Sequence, residues 1–265
     1  MKLAFLGGGN MAAALVGGLG RTPGITSIVV VERDDARRAH LASEFKLETR
    51  AAVDAAIADA AVVVLAVKPG DVRGICEDLR RVPGRRVVVS IAAGISTGSI
   101  AQWCGSESIV RAMPNTPALV GQGITGLFAR AGVNDIQRRE AESVLQAVGQ
   151  TVWFDDEAML DAVTAISGSG PAYVFYFMEA LQAAAAQLGM DANQARTFAL
   201  ETFAGAARLA LESGEELAVL RERVTSKGGT TAAALESMRG SGVFDAIVKA
   251  AIAARDRSRE LGATS

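Results

Sequence analysis

A short apolar run at positions 3–6 passes directly into Gly7-Gly8-Gly9-Asn10-Met11-Ala12, and no other stretch restricts the fold so tightly. The spacing is G-x-G-x-x-A between a strand and a helix. Gly7 would make the tight turn. Gly9 would let the backbone approach a pyrophosphate at the N-terminus of a helix that begins near Asn10 and Met11, where amide donors and the helix dipole favour negative charge. An ordinary strand-to-helix turn would also accept these residues. A second apolar run, 28–31, ends at Glu32, about 20 residues beyond the glycines, where an acidic side chain can accept hydrogen bonds from an adenosine ribose. With strand, turn, helix and acid in this register, the first part of the chain is expected to bind a dinucleotide.

Further valine- and isoleucine-rich runs at 62–67 and 87–91 suit strands buried on both faces of a parallel sheet. Helical stretches at 11–19 and 34–45 are short enough to be crossovers between them. Runs at 109–113 and 151–154 flank a helical segment at 136–148 and would extend the same sheet. After about Glu157 the texture becomes alanine-rich and no strand-like run recurs. Pro171 suits the first turn of a helix reaching Leu188, with Gly189 as its C-terminal cap. Asp191 and Gln194 form a capping-box pattern opening the next helix, which Ser213-Gly214 would end. Helices over 230–238 and 244–261 follow, separated by Gly240-Ser241-Gly242. The expected fold class is α/β, with an N-terminal Rossmann-like dinucleotide-binding domain over 1–156 and a C-terminal all-helical dimerisation domain over 157–265. Helices this apolar, with Ala183 to Ala186 in one block, are hard to bury within a single subunit, so a dimer interlocked through them is expected.

A net charge of -2 leaves no basic excess to neutralise a phosphate backbone, which argues against a nucleic-acid partner. Cys76 and Cys104 have neither a CxxC neighbour nor an adjacent histidine, so no metal site or disulfide framework is signalled and plain thiols in a reducing compartment are expected. Met1-Lys2-Leu3 does not open a signal peptide, and no apolar run reaches the ~18 residues of a membrane span. A cytoplasmic location is the expectation.

The cofactor-facing residues carry mixed information. Glu32 favours the free ribose of NADH, whereas Arg33, Arg37 and Arg38 could hold the 2'-phosphate of NADPH or could simply form a solvated helix face. Ala66-Val67-Lys68-Pro69 closes a buried run at the end where ligands of doubly wound sheets lie; a solvent-facing lysine is the plainer reading of Lys68. The one histidine, His40, falls in the helix after the second strand, and none of Lys2, Lys46, Lys68, Lys227 and Lys249 lies between Glu157 and Ser226. Reducing a ketone develops negative charge on oxygen and calls for a positioned acid. An imine can be protonated beforehand, so this inventory leans toward C=N reduction. Ser167-Gly168-Ser169-Gly170-Pro171-Ala172-Tyr173 and Ser226-Lys227-Gly228-Gly229-Thr230-Thr231 each place free amides and hydroxyls at a helix start. Either could be only a cap; together they suggest a small carboxylate.

With these five stretches in order, counting Arg111-Ala112-Met113-Pro114-Asn115-Thr116-Pro117, the chain resembles the pyrroline-5-carboxylate reductase family over essentially its whole length. The resemblance implies reduction of 1-pyrroline-5-carboxylate to L-proline by NADPH or NADH. It also implies that Ala66, Val67, Lys68, Pro69, Ile91, Ala92, Ala93 and Asn115 line the nicotinamide side. Ser226, Gly229, Thr230 and Thr231 would receive the substrate, with Thr231 against its ring. An obligate homodimer, assembled further into a decamer in many members, is implied too. Lys227 stands where the family usually has proline, and Glu216-Leu217 where His-Pro is common. A β-hydroxyacid dehydrogenase or imine reductase shares this architecture, but the former would need the absent helix lysine. A dinucleotide-sensing scaffold without turnover is the non-enzymatic alternative.

Overall fold

Strand residues that are apolar at every position need partners on both faces of their sheet. In the computed structural model, which describes residues 1–20 and 22–263, eight strands form one sheet. They are β1 (Lys2–Leu6), β2 (Ser27–Val31), β3 (Glu48–Arg50), β4 (Val62–Leu65), β5 (Val87–Ser90), β6 (Ile109–Met113), β7 (Gly123–Ala129) and β8 (Gly149–Trp153), in the order β3-β2-β1-β4-β5-β6-β7-β8. Every neighbouring pair is parallel except β6 with β7.

Helices α1 (Asn10–Leu19), α2 (Asp35–Phe45), α3 (Val72–Arg80), α4 (Thr97–Cys104) and α5 (Asp135–Gln146) divide between the two faces. Leu3 and Phe5 of β1 point into a core shared with Leu15 of α1, Leu41 of α2 and Leu145 of α5. Ala4 and Leu6, one residue out of phase, point into the opposite core with Ile75 of α3 and Ile100 of α4. The two-residue period of the strand thus feeds two separate cores, and each fully buried large side chain contributes roughly 1.5 to 3 kcal/mol. On α3, Val72, Ile75, Cys76 and Leu79 repeat at helical spacing and are all buried.

The sheet departs from the sequence expectation in identifiable ways. β4 and β5 end at Leu65 and Ser90; the amides of Ala66 and Ile91 each make a last bond, to the Leu6 and Leu65 carbonyls, and the chain then enters loops. β3 is a three-residue polar edge strand, and β7 carries Gly123 and Gly126 in place of an apolar run, so neither shows a hydrophobic signature. β7, which no apolar run announced, pairs antiparallel with β6 and makes the sheet mixed.

The chain separates into two compact units, one formed by Met1–Ser169 with the segment from Ala254, the other by Gly170–Ala253. The second unit holds α7 (Gly170–Gln187), α8 (Ala192–Ser213), α9 (Leu217–Arg223), α10 (Thr230–Gly240) and the first half of α11 (Val243–Ala263); α6 (Met159–Val163) precedes it in the first unit. Gly189 and Gly214, with φ of +94° and +65°, end α7 and α8 as their positions foretold. Asp191 and Gln194 make the reciprocal capping box at the start of α8. α9 was not foreseen. Among the described residues of this unit only Ala195 and Ala199 are buried, although Phe177 and Phe203 meet edge-on with ring centroids 6.2 Å apart. Tyr176, Leu211 and Phe244 remain 75%, 85% and 76% exposed. Among the described residues no helix is long and apolar enough to cross a membrane.

A charged cluster inside the first unit joins elements distant in sequence. Arg111 of β6, 8% exposed, places Nη1 3.2 Å from Glu157 Oε1 and Nη2 3.9 Å from Asp161 Oδ1. Glu157 also accepts from the Thr97 amide at 2.8 Å and hydroxyl at 2.7 Å, which caps the start of α4. Asp161 accepts from the Ser258 hydroxyl of α11 at 2.8 Å. Removing Arg111 would leave Glu157 without its cation and Asp161 with only the more exposed Arg259, 3.9 Å away, in a largely buried space. Arg111→Ala is expected to lower the unfolding free energy by about 3 kcal/mol, measured by urea denaturation; a loss below about 1 kcal/mol would mean that the carboxylates are already solvated.

Candidate functional site

The strand order reverses at β1, whose neighbours are β2 and β4, and the helices that follow β1 and β4 pack on opposite faces. A crevice therefore opens beyond the carboxyl ends of these strands. Gly7 turns the chain there with φ of +102°, its amide donating to the Val31 carbonyl at 2.8 Å. A Cβ at Gly7 would lie 2.6 Å from the carbonyl oxygen of Ala66, so two backbones meet where no side chain fits.

The other two glycines answer different demands. A Cβ at Gly8 would lie 2.6 Å from Leu41 Cδ1, a packing constraint the motif spacing does not announce. At Gly9 the nearest atom would be 4.0 Å away, leaving open space above the backbone. Gly9 is the N-cap of α1 without a side-chain cap, and the first turn has no acidic residue. The amides of Asn10 and Met11 thus stand at an open helix start, as an anion requires. The cleft next to this loop has a volume of about 330 Å³.

Glu32 sits at its rim and is already engaged. Oε2 accepts from the Gly8 amide at 2.8 Å and Oε1 from the Asp34 amide at 3.0 Å. Burial alone would raise its pKa; the amides of Asp34, Gly8 and Arg33, together with the Arg37 charge, outweigh it and hold the carboxyl below its ordinary range. Its stabilising contribution is therefore complete above the ordinary carboxylate pKa and is lost as pH falls through the lowered folded value. A carboxylate has about four acceptor sites, so ribose hydroxyls can still donate to it.

The three arginines separate clearly. Arg38 donates to the carbonyls of Glu32 and Arg33 at 2.8 and 2.9 Å and pairs with Asp35, so it buttresses the turn. Arg33 and Arg37 line the cleft.

Ala66, Val67 and Lys68 also line the cleft, with Lys68 exposed at its mouth and Pro69 opening a short 3₁₀ turn toward α3. Ala92 is buried at 4% exposure in the loop after β5. Asn115, 8% exposed, spends Oδ1 on the Ile124 amide at 2.9 Å, so it pins the start of β7 and leaves its amide nitrogen as the group it can offer a ligand.

In the second unit Ser226, Lys227, Gly228 and Gly229 form a turn closed by the Gly229 amide on the Ser226 carbonyl at 3.0 Å, with Gly228 at φ of +71°. Any side chain at Gly229 would collide with the Ser226 hydroxyl. Gly229 is the extended N-cap of α10 and again no side chain caps it, so Thr230 and Thr231 occupy an open first turn. The break expected near Ser167 takes another form: residues 164–168 make a π turn, closed by the Ser169 amide on the Thr164 carbonyl at 2.8 Å. Such widened turns recur at functional positions.

Comparison with known proteins matches residues 157–261 to the family model described as pyrroline-5-carboxylate reductase dimerisation. Residues 2–94 match the one described as NADP oxidoreductase, coenzyme F420-dependent. The pyrroline-5-carboxylate reductase of Pseudomonas aeruginosa is 46% identical over 98% of this chain and 96% of its own length. The solved structure of such a reductase from Coxiella burnetii is 40% identical, with a TM-score of 0.92 over 98% of this chain and 97% of its own. That of Plasmodium falciparum pyrroline carboxylate reductase with NADP bound is 27% identical, with a TM-score of 0.86 over 99% and 98%.

The different surroundings of Gly7 and Gly9 separate folding from binding. Gly9→Ala should fold with stability within about 1 kcal/mol of the parent, yet bind dinucleotide at least about tenfold more weakly, by ~1.4 kcal/mol. Gly7→Ala should lose about 2 kcal/mol of stability through strain and overlap. Thermal melting beside a fluorescence titration of the dinucleotide reads both quantities; unchanged affinity in Gly9→Ala would place the pyrophosphate elsewhere.

Proposed function

The chain belongs to the pyrroline-5-carboxylate reductase family, and on that premise we propose that it reduces the C=N bond of 1-pyrroline-5-carboxylate to give L-proline, the last step of proline synthesis. The observation that carries this reading is the likeness to curated reductases over 98% of the chain. The glycine turn and the open start of α1 fit the pyrophosphate of a nicotinamide dinucleotide. When bound, that cofactor supplies the hydride.

The protein's own residues then have to bind, orient and exclude water. Gly7 and Gly9 admit the backbone to the pyrophosphate, and Asn10 and Met11 present their amides to it. Glu32 takes the ribose hydroxyls, and Arg33 with Arg37 offers charge to a 2'-phosphate. Ala66, Val67, Lys68, Pro69, Ala92 and Asn115 form the nicotinamide side. Ser226, Gly229 and Thr230 receive the substrate carboxylate through hydroxyls and open amides. Thr231 orients the ring nitrogen. The ring carbon gains the hydride and the nitrogen keeps the proton with which it entered, so no alkoxide forms and no histidine or lysine acid is required. NADPH is the proposed cofactor, with NADH accepted. We place the boundary between nucleotide and dimerisation functions at 156/157, propose a homodimer built through the apolar helices and capable of decamer assembly, and assign it to the cytoplasm.

Oxidation of NADPH or NADH on addition of 1-pyrroline-5-carboxylate, followed at the nicotinamide absorbance, tests the activity; a flat trace with both cofactors would end the proposal. Thr231→Ala should reduce kcat/KM roughly a hundredfold, about 2 to 3 kcal/mol, with dinucleotide affinity near the parent. A variant that merely melts earlier, with kcat/KM within about threefold of the parent, would make Thr231 a helix cap only. Glu32→Ser should tighten NADPH binding by removing a carboxylate that faces the extra phosphate. Equal titration curves for both cofactors before and after the change would mean that Glu32 serves the Gly8 turn alone.

A further inference from the structure

A cavity of about 640 Å³ in the first unit shares no lining residue with the dinucleotide cleft. It lies by the start of β5 and the residues leading into β6, at the opposite ends of these strands from the glycine turn. Three arginines reach it. Arg80 ends α3, and Arg85 and Arg86 close the loop before β5.

Arg86 is 8% exposed, and its Nη2 donates to the carbonyls of Val82 and Pro83 at 2.9 and 2.5 Å. Its Nη1 is buried with no hydrogen-bond partner. Burial pushes the guanidinium below its usual pKa, only partly offset by the neighbouring Cys104. A buried cation without a counter-charge is costly, and the cost is relieved when an anion is supplied.

The rest of the lining is arranged in the same sense. No acidic residue is among the lining residues. Of the acids next to lining residues in sequence, Asp78 pairs with Arg81 at 3.0 Å and Glu107 with Arg130 at 2.6 Å, while Asp135 stands exposed in the first turn of α5 and does not line the cavity. Asn134 and Gln137 use their oxygens in the α5 capping box, which leaves NH2 groups to offer. The cavity therefore presents donors and positive charge, and its volume is that of a small-molecule site.

We infer that this cavity binds a small organic molecule carrying several anionic oxygens, as phosphates or clustered carboxylates. Its recognition would be bidentate and charge-assisted, through guanidinium groups. The test uses the full chain saturated with dinucleotide, so that the glycine turn is occupied. Inorganic pyrophosphate and citrate are titrated separately by calorimetry, against sodium chloride at matched ionic strength. One site per chain with a dissociation constant below about 1 mM is expected for at least one probe, together with a rise in melting temperature. Arg80 and Arg85 are exposed, so the double variant Arg80→Ser, Arg85→Ser should fold normally. It should bind the probe at least tenfold more weakly while keeping its dinucleotide affinity. Heats no larger than the chloride control, or equal affinity in the double variant, would overturn the assignment.

Discussion

The carbonyl of Ala66 and the turn at Gly7 approach so closely that a methyl group on Gly7 would lie 2.6 Å from that oxygen. This contact closes the floor of the crevice between β1 and β4, the point where the strand order reverses. Because the turn is made of backbone alone, α1 can begin at once, with Gly9 as an extended N-cap and no side chain over its amides. The Gly8 amide is thereby aimed at Glu32, which links the end of β2 to the same loop at 2.8 Å. Anchoring a carboxylate with amides lowers its pKa, so a negative charge is fixed at the rim of the cleft. Geometry at one glycine thus propagates into electrostatics at the other end of the cleft.

The two units reach stability by different means. In the first, β1, β4 and β5 bury nearly every side chain on both sheet faces, and the two resulting cores are filled largely by valine, leucine and isoleucine. That density leaves room for a buried ionic cluster, since Arg111, Glu157 and Asp161 are held by enough surrounding donors and acceptors to repay part of their desolvation. In the second, α7 and α10 bury no side chain completely. Small residues along α7 and α8 permit close helix approach but remove little apolar surface each, so most of the stabilisation available to this unit lies in surface that another chain can cover.

Much of this was legible because the signals were local. Continuous apolar runs located β1, β2, β4, β5 and β6, and capping residues located the ends of α7 and α8. The glycine turn was readable because its spacing has a mechanical meaning. Elements held by tertiary context were not readable: Glu48–Arg50 is polar and pairs only as an edge, while β7 owes its place to pairing on both sides. No range was foreseen for α3, because its apolar stripe is only four residues, Val72, Ile75, Cys76 and Leu79, on one face of an otherwise polar helix. Within the site, Glu32 was found by its distance from the glycines, whereas the separation of Arg38 from Arg33 and Arg37 depends on a carbonyl pair that only folding brings into reach. Likewise, nothing in the motif around Arg111 announces Ser258, which lies 97 residues beyond Asp161, its hydrogen-bond partner.

That last separation bears on how the protein is made. Synthesis is vectorial, and an N-terminal domain ordinarily folds while later residues are still being added. Here the first unit takes back the segment from Ala254, so its ionic cluster waits for Ser258 long after every strand of its sheet has emerged. Gly262 then settles with its α-carbon 3.7 Å from where a Cβ at Gly94 would stand, in the loop that follows β5. A sheet whose strands all end by Trp153 therefore completes its charged interior only with α11. Until α11 is made, Asp161 lacks both the Ser258 hydroxyl and the Arg259 guanidinium, which stand 2.8 and 3.9 Å from it in the finished fold.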